Sequence, residues 1–263
     1  MATQKSPSLS LVSIVQGTWN IIAEKYLKLF IVSVAAAALS LLGFGIFTLV
    51  TKQQLENLVG NSGSTASLGL IVFLAIFVTL VALGIQIFSF TLIVQILSQK
   101  KETPWVQLIY NTMERFWPTV LLALVLILVI TLLAVLTDLI AALLLTATAG
   151  VSESFFGGLA SAFILVLSAL PILLITLLLM FMPFEVILNK ANIMDAFRTN
   201  VTLLRGHFFR TLGYAIMLYF AIFGLTLLLQ LLPFIGSAIN FLLSSVLLVS
   251  YVFVMYTKLK NQN

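Results

Sequence analysis

From Val120 to Thr146 the chain reads VLLALVLILVITLLAVLTDLIAALLLT, with Asp138 as its one ionisable residue. A backbone in hydrocarbon finds no water to bond, so it must close its own hydrogen bonds, and about 20 apolar residues then cross as a helix. Six such runs occur: Leu29–Val50, Leu68–Leu97, Val120–Thr146, Leu159–Met182, Leu212–Leu232 and Ile239–Tyr256. Charged residues make up 8% of the chain and the mean hydropathy is +1.21, against about 25% charge in soluble domains. A surface this apolar would not stay in solution. The expected fold is all-α and polytopic, a single membrane domain over residues 1–263 with six transmembrane helices. The hydrophilic connections are too short for an extramembrane domain.

The charges give the topology. TKQQLENLVGNSGSTAS (51–67), TAGVSESFFGG (around 149–158) and LPFIGS (232–237) contain one basic residue, Lys52. The other 12 of the 13 Lys and Arg fall on the opposite side, among them Lys5, Lys100, Lys101 and Lys258. The positive-inside rule then puts both termini in the cytoplasm of a multi-pass protein of a plasma (inner) membrane. A cleaved signal peptide is the rival reading of the first run, since SVAAAALS (33–40) carries small residues, but the long amphipathic stretch before it does not resemble a short n-region. The chain has no cysteine, which excludes disulfides, thiolate metal sites and thiol nucleophiles. The net charge of +5 sits beside apolar runs and not in a solvated patch, so it points to lipid headgroups and not to nucleic acid.

The charged stretch DAFRTNVTLLRGHFFRTL (195–212) has two counterparts, SIVQGTWNIIAEKYLKLF (13–30) and TPWVQLIYNTMERFWPTV (103–120). In each, a helix-starting residue (Ser13, Thr103, Asp195) precedes an aromatic (Tyr26, Phe116, Phe208) by 13 positions, with Lys25, Arg115 or His207 just before it. Val15 and Trp19, Trp105 and Ile109, and Phe197 and Val201 continue one apolar helical face. Thr103-Pro104 reads as a helix start, and Asn192 with Asp195 as a capping pair. The starts lie 90 and 92 residues apart. We read a threefold internal repeat, units 13–102, 103–192 and 193–260, each an interfacial amphipathic helix followed by an outgoing and a returning span.

Lys25, Lys28, Arg115, Arg198, Arg205, His207 and Arg210 are the candidate lipid-headgroup or interface residues. Asp138 is a carboxylate inside an apolar run, where the centre of a span costs about 2.5–3.5 kcal/mol. An ion or proton relay is its functional reading, and solvation toward the outer end of the run, helped by Thr137, is the structural one. Gln86, Gln95, Gln230 and Asn240 are the other intramembrane polar residues, suited to hydrogen bonds between helices. Glu185 is expected to form a structural ion pair with Lys190 or with an arginine of the third amphipathic helix. Gly43 and Gly45 suggest close packing, and Pro171 a kink. One histidine without cysteine builds no zinc site, and no phosphate loop, nucleophile elbow or paired catalytic carboxylates are present. No cofactor, metal or catalytic residue is expected.

The segment MPFEVILNKANIMDAFRTNVTLLRGHFFRTLGY (182–214) resembles the membrane domain of some bacterial glycerophosphoryl diester phosphodiesterases and of related uncharacterised six-span bacterial proteins. The resemblance lies in Pro183 and Glu185, Asp195-Ala196-Phe197 and Leu204-Arg205-Gly206-His207, and the helix 13–30 is similar to that family's opening one. It implies a six-helix membrane module. In the enzymes, hydrolysis belongs to a separate soluble barrel with paired carboxylates and a metal, to which nothing here corresponds, so no catalytic residue is carried over. The leading expectation is a non-enzymatic integral membrane protein that binds or organises phospholipid, or serves as a membrane scaffold for a protein partner or a second copy. The alternative is a transporter, channel or lipid-moving protein with a path near Asp138.

Overall fold

A computed structural model describes residues 10–60, 65–99, 102–147, 155–232 and 236–262. Among them the regular structure is helical: α1 (Leu11–Gly60), α2 (Thr65–Ser98), α3 (Trp105–Ala147), α4 (Phe155–Leu179), α5 (Met182–Asn189), α6 (Ile193–Leu204), α7 (Phe208–Gln230) and α8 (Gly236–Lys260). Six stretches are long and apolar enough to cross a membrane: Leu11–Lys52, Ile71–Ser98, Trp105–Thr146, Leu170–Asn189, Phe208–Gln230 and Leu242–Lys260. Each overlaps one of the six apolar runs. The chain is thus a multi-pass integral membrane protein. Hydroxyl side chains inside the spans bond back to their own helix, as Thr79 does to the Ala75 carbonyl, Thr91 to Ile87 and Thr226 to Ile222, which satisfies them without a neighbour.

Long helices that follow one another pack together, α1 with α2, α2 with α3, α3 with α4 and α7 with α8. α8 also packs on α1 and α2, while α5 lies on α2, α3 and α6. The tightest packing is at one end of the bundle. There Ile14 and Leu29 of α1, Val94 and Ile96 of α2, Leu108 of α3, Phe181 at the start of α5 and Phe184 within it, Leu204 of α6 and Met255, Tyr256 and Leu259 of α8 are fully or almost fully buried. The other halves of α1–α3 expose Phe44, Leu49, Phe73, Phe77, Leu132 and Leu143. Physics explains the division. Lipid tails are as apolar as leucine, so burial between helices gains no hydrophobic free energy in the bilayer core. That gain returns where the helices reach water.

The three amphipathic segments behave differently from one another. The first two are continuous with their spans: α1 runs 50 residues and α3 runs 43, about 75 and 65 Å at 1.5 Å per residue. They are not separate helices because nothing breaks the chain where they meet the apolar run, and α3 continues through Pro118. Only the third, α6, is set apart. The break falls at Arg205-Gly206-His207, where Gly206 takes φ +84°, a left-handed conformation that glycine adopts at little cost. The cap expected at Asn192 forms, its Oδ1 accepting from the Asp195 backbone N–H at 2.8 Å. The first helix is capped by Ser10 and not Ser13, with the Ser13 backbone N–H donating to Ser10 Oγ at 3.2 Å.

Other expectations need correcting. Residues 51–60 continue α1 and 65–69 belong to α2, so only 61–64 of that connection lies outside the described residues. Gly43 and Gly45 do not mark close packing, for a Cβ at either would meet open space. The close approach is at Gly17, where a Cβ would stand 3.0 Å from Val254 Cγ1. Pro171 lies inside α4, which runs on to Leu179, and the helical run is interrupted at Met180–Phe181, ahead of Pro183 in the first turn of α5. Proline is placed there without losing a hydrogen bond that a helix start would have made.

Candidate functional site at the basic end of the bundle

Glu185 is the deepest charged residue of this end, 3% exposed. It sits in the first turn of α5 above an aromatic cluster, with Phe184 stacked on Tyr256 at 5.4 Å and tilted against Phe253 at 6.0 Å. One carboxylate oxygen accepts from Tyr256 Oη at 2.7 Å and from Lys260 Nζ at 3.2 Å. The other accepts from Asn189 Nδ2. The tyrosine hydroxyl in turn accepts from Asn189 Nδ2 at 2.9 Å and from Lys260 Nζ at 3.0 Å. A phenol has one proton and two lone pairs, and all are engaged. The i, i+4 pairs Glu185/Asn189 and Tyr256/Lys260 therefore form a closed clip between α5 and α8.

Glu185 and Lys190 do not pair as expected. Five residues on a helix place side chains well away from one another, since neighbours on one face are three or four apart. Moreover, Lys190 ends α5 in a left-handed conformation, φ 56°. Lys190 Nζ instead meets Glu114 Oε1 at 3.0 Å, and Arg115 Nη2 meets the same oxygen at 3.0 Å, linking α3 to α5. No arginine of α6 reaches Glu185 either.

Lys25 and Lys28 tie α1 to the end of α2. Lys25 Nζ donates to the carbonyls of Ile96 and Leu97, both at 3.0 Å, and to that of Gln99. These carbonyls lie at the C-terminal end of α2, where helical N–H donors run out (Ile96 keeps a 3.4 Å bond from the Gln99 N–H), and a cation there also meets the negative end of the helix dipole. Lys28 Nζ donates to the Thr103 carbonyl at 3.1 Å. A small cavity of about 280 Å³ opens beside them, lined by Glu24, Lys25, Lys28, Gln99 and Glu102 among others.

The seven candidate interface residues thus divide. Lys25, Lys28 and Arg115 hold protein groups, and Arg115 is buried. Arg198, Arg205 and Arg210 are exposed and His207 is half-buried. Among the described residues, the side chains of these four form no hydrogen bond or ion pair. They gather around the α6–α7 break beside outward-facing Phe197, Val201 and Phe209, the last 84% exposed. Lys5, Lys100 and Lys101 lie outside the described residues.

The intramembrane polar residues are spread over the bundle. Gln86 Nε2 donates to Ser40 Oγ and Gln95 Nε2 to the Asn111 carbonyl, each at 3.4 Å. Asn240 Oδ1 accepts from Thr226 Oγ1 at 3.1 Å and from Ser244 Oγ at 3.0 Å. Gln230 is exposed near the end of α7 and Asp138 is exposed on α3. Asp138 lies 21 residues beyond the exposed Trp117, about 32 Å along a helix. That is about the full thickness of the hydrocarbon.

Sequence reasoning missed Glu114, Asn189, Tyr256 and Lys260. The signal for three of them is i, i+4 polar spacing at the ends of apolar runs. It missed Asn200 as well, which is wholly buried on α6 with neither amide atom bonded. Among the described residues no group of three or more His, Cys, Asp or Glu could hold a metal ion. No family model, curated protein or solved structure matches the chain, so the resemblance to the phosphodiesterase membrane domain gains no support from these comparisons.

Proposed function

We propose that this multi-pass membrane protein is a non-enzymatic binder or organiser of phospholipid, acting through the basic surface at the α6–α7 break. The observation that carries this reading is the set Arg198, Arg205, His207 and Arg210, without protein partners among the described residues and beside exposed Phe197, Val201 and Phe209. Apolar side chains with adjacent cations suit the boundary between acyl chains and anionic headgroups, where each Lys or Arg contributes about 1 kcal/mol. Gathering of the basic residues at one end favours a cytoplasmic placement of that end in a bacterial inner membrane. Asp138, exposed about one hydrocarbon thickness from Trp117, fits an interfacial carboxylate better than a transport path.

A threefold repeat fits the burial pattern. At offsets of 90 and 182 residues, Thr18, Leu108 and Asn200 are all buried, as are Leu29, Thr119 and Thr211. Leu27, Trp117 and Phe209 are all exposed, and Lys25, Arg115 and His207 precede them at equivalent positions. In this reading the first two units use their basic residue to hold protein, while the third leaves its own free for headgroups.

The test is native mass spectrometry of the full chain released from nanodiscs that mix zwitterionic and anionic phospholipid. Retained anionic lipid should fall several-fold when Arg198, Arg205 and Arg210 become Gln. Unchanged retention, or a bare oligomer or partner complex from both proteins, would overturn the lipid reading.

A further inference from the structure

A second polar feature lies away from the basic end. Between α7 and α8 there is a cavity of about 480 Å³, bordered by Ile222, Thr226 and Gln230 on one helix and by Gly236, Asn240 and Leu248 on the other. That volume is within the range of small-ligand sites, about 300–1,000 Å³. From Gly236 to Leu248 it follows α8 for twelve residues, about 18 Å. Half of a hydrocarbon layer is about 15 Å. The groove therefore runs from the level of the α7–α8 turn to about the middle of the bilayer, the depth of one leaflet.

Its hydrogen-bonding balance is one-sided. Asn240 Oδ1 accepts from Ser244 Oγ at 3.0 Å and shares with the Ile222 carbonyl the one proton of Thr226 Oγ1, 3.1 Å away. Ser245, also on the lining, donates to the Leu242 carbonyl at 3.1 Å. The hydroxyl protons and the amide oxygen are thus spent. What remains is the Asn240 NH₂ group, with two N–H donors, and the carboxamide of Gln230, which bonds nothing among the described residues. An amide left dry in an apolar medium costs about 2–7 kcal/mol, so the site calls for an acceptor. Ile222 and Leu248 line the deeper part with apolar surface.

We propose that this groove seats one phospholipid of the leaflet opposite the basic residues. Its ester and phosphate oxygens accept from Asn240 and Gln230, and an acyl chain runs down past Ile222 and Leu248. The inference uses the same membrane placement as the function proposed above but none of its arginines, so either can fail alone.

The experiment replaces Leu248, 46% exposed and on the lining, by photoreactive p-benzoylphenylalanine in the full chain within its membrane. The same replacement at Leu41, on the open surface of α1, reports ordinary lipid contact. Illumination should give an adduct with the mass of one phospholipid at residue 248. That adduct should fall at least three-fold in Asn240→Leu and also in Gln230→Leu, which breaks no bond within the described protein. The adduct at residue 41 should not respond, and Arg198→Gln with Arg205→Gln and Arg210→Gln should leave the adduct at 248 unchanged. Equal yields at 248 with and without the amides would mean annular lipid only and overturn the proposal. A cross-link to a second copy or to another protein, or no adduct at all, would overturn it as well.

Discussion

Tyr256→Phe removes one oxygen and keeps the ring against Phe181 and Phe184. The loss can be worked from the three bonds of that hydroxyl. Asn189 is exposed and the Lys260 side chain is 42% exposed, so both regain water at little cost. Glu185, 3% exposed, does not. It loses the 2.7 Å donor, and a hydrogen bond to a charged group contributes about 1.5–3 kcal/mol. The expected destabilisation is about 2 kcal/mol, measured by reversible unfolding of the full chain in mixed micelles. Lys260→Ala should cost about 1–3 kcal/mol, because the ammonium returns to water but the carboxylate it leaves is 4% exposed. With Glu185→Gln as background, where the bond is between neutral groups worth about 0.5–1.5 kcal/mol, Tyr256→Phe should cost about 1 kcal/mol less than in the native protein. A loss under about 0.5 kcal/mol, within the usual scatter of surface substitutions, would refute the clip as an energetic link.

Three further outcomes follow from the same unfolding assay. Asn200→Leu should stabilise by about 1–3 kcal/mol, since it removes a buried amide whose two polar atoms have no partner and leaves a side chain of similar size. Gly206→Ala should destabilise by about 1–2 kcal/mol from backbone conformation alone, because φ is +84° and a Cβ would meet nothing within 4 Å. Lys25→Met should cost about 1–2 kcal/mol through uncapping of α2, and amide exchange at the end of α2 should rise more than elsewhere.

Six spans were legible because hydropathy is the physics of crossing: no single leucine or isoleucine matters, and a run of about twenty apolar residues is decisive. The break at Gly206 and the cap at Asn192 were also within reach, since both are local chemistry. What hydropathy could not separate was an amphipathic segment from the span that follows it. Continuity of α1 and α3 is decided by the absence of a breaker, and the apolar face of 13–28 looks the same whether it lies flat or stands upright. The partners of the charges were harder still. Lys25 and Arg198 are alike in charge, yet one is spent on carbonyls 71 to 74 residues away and the other has no partner among the described residues, a difference made by which helices happen to meet. For Glu185 the sequence offers its near neighbour Lys190, whereas Tyr256, the partner it takes, follows it by 71 residues.

The unbroken α1 has a mechanical consequence. From Leu29 to Leu11 it extends about 27 Å past the start of its apolar run, as a rigid arm. Long spans adjust to a change in bilayer thickness by tilting, and a tilt of about 10° swings the tip of such an arm by about 5 Å. Gly17 lies against Val254, so the swing is transmitted to the last turns of α8, where Tyr256 and Lys260 hold Glu185. α6, set apart from α7 by the break at Gly206, has no such leverage. Thickness of the membrane would be felt at one side of the basic surface and not at the other.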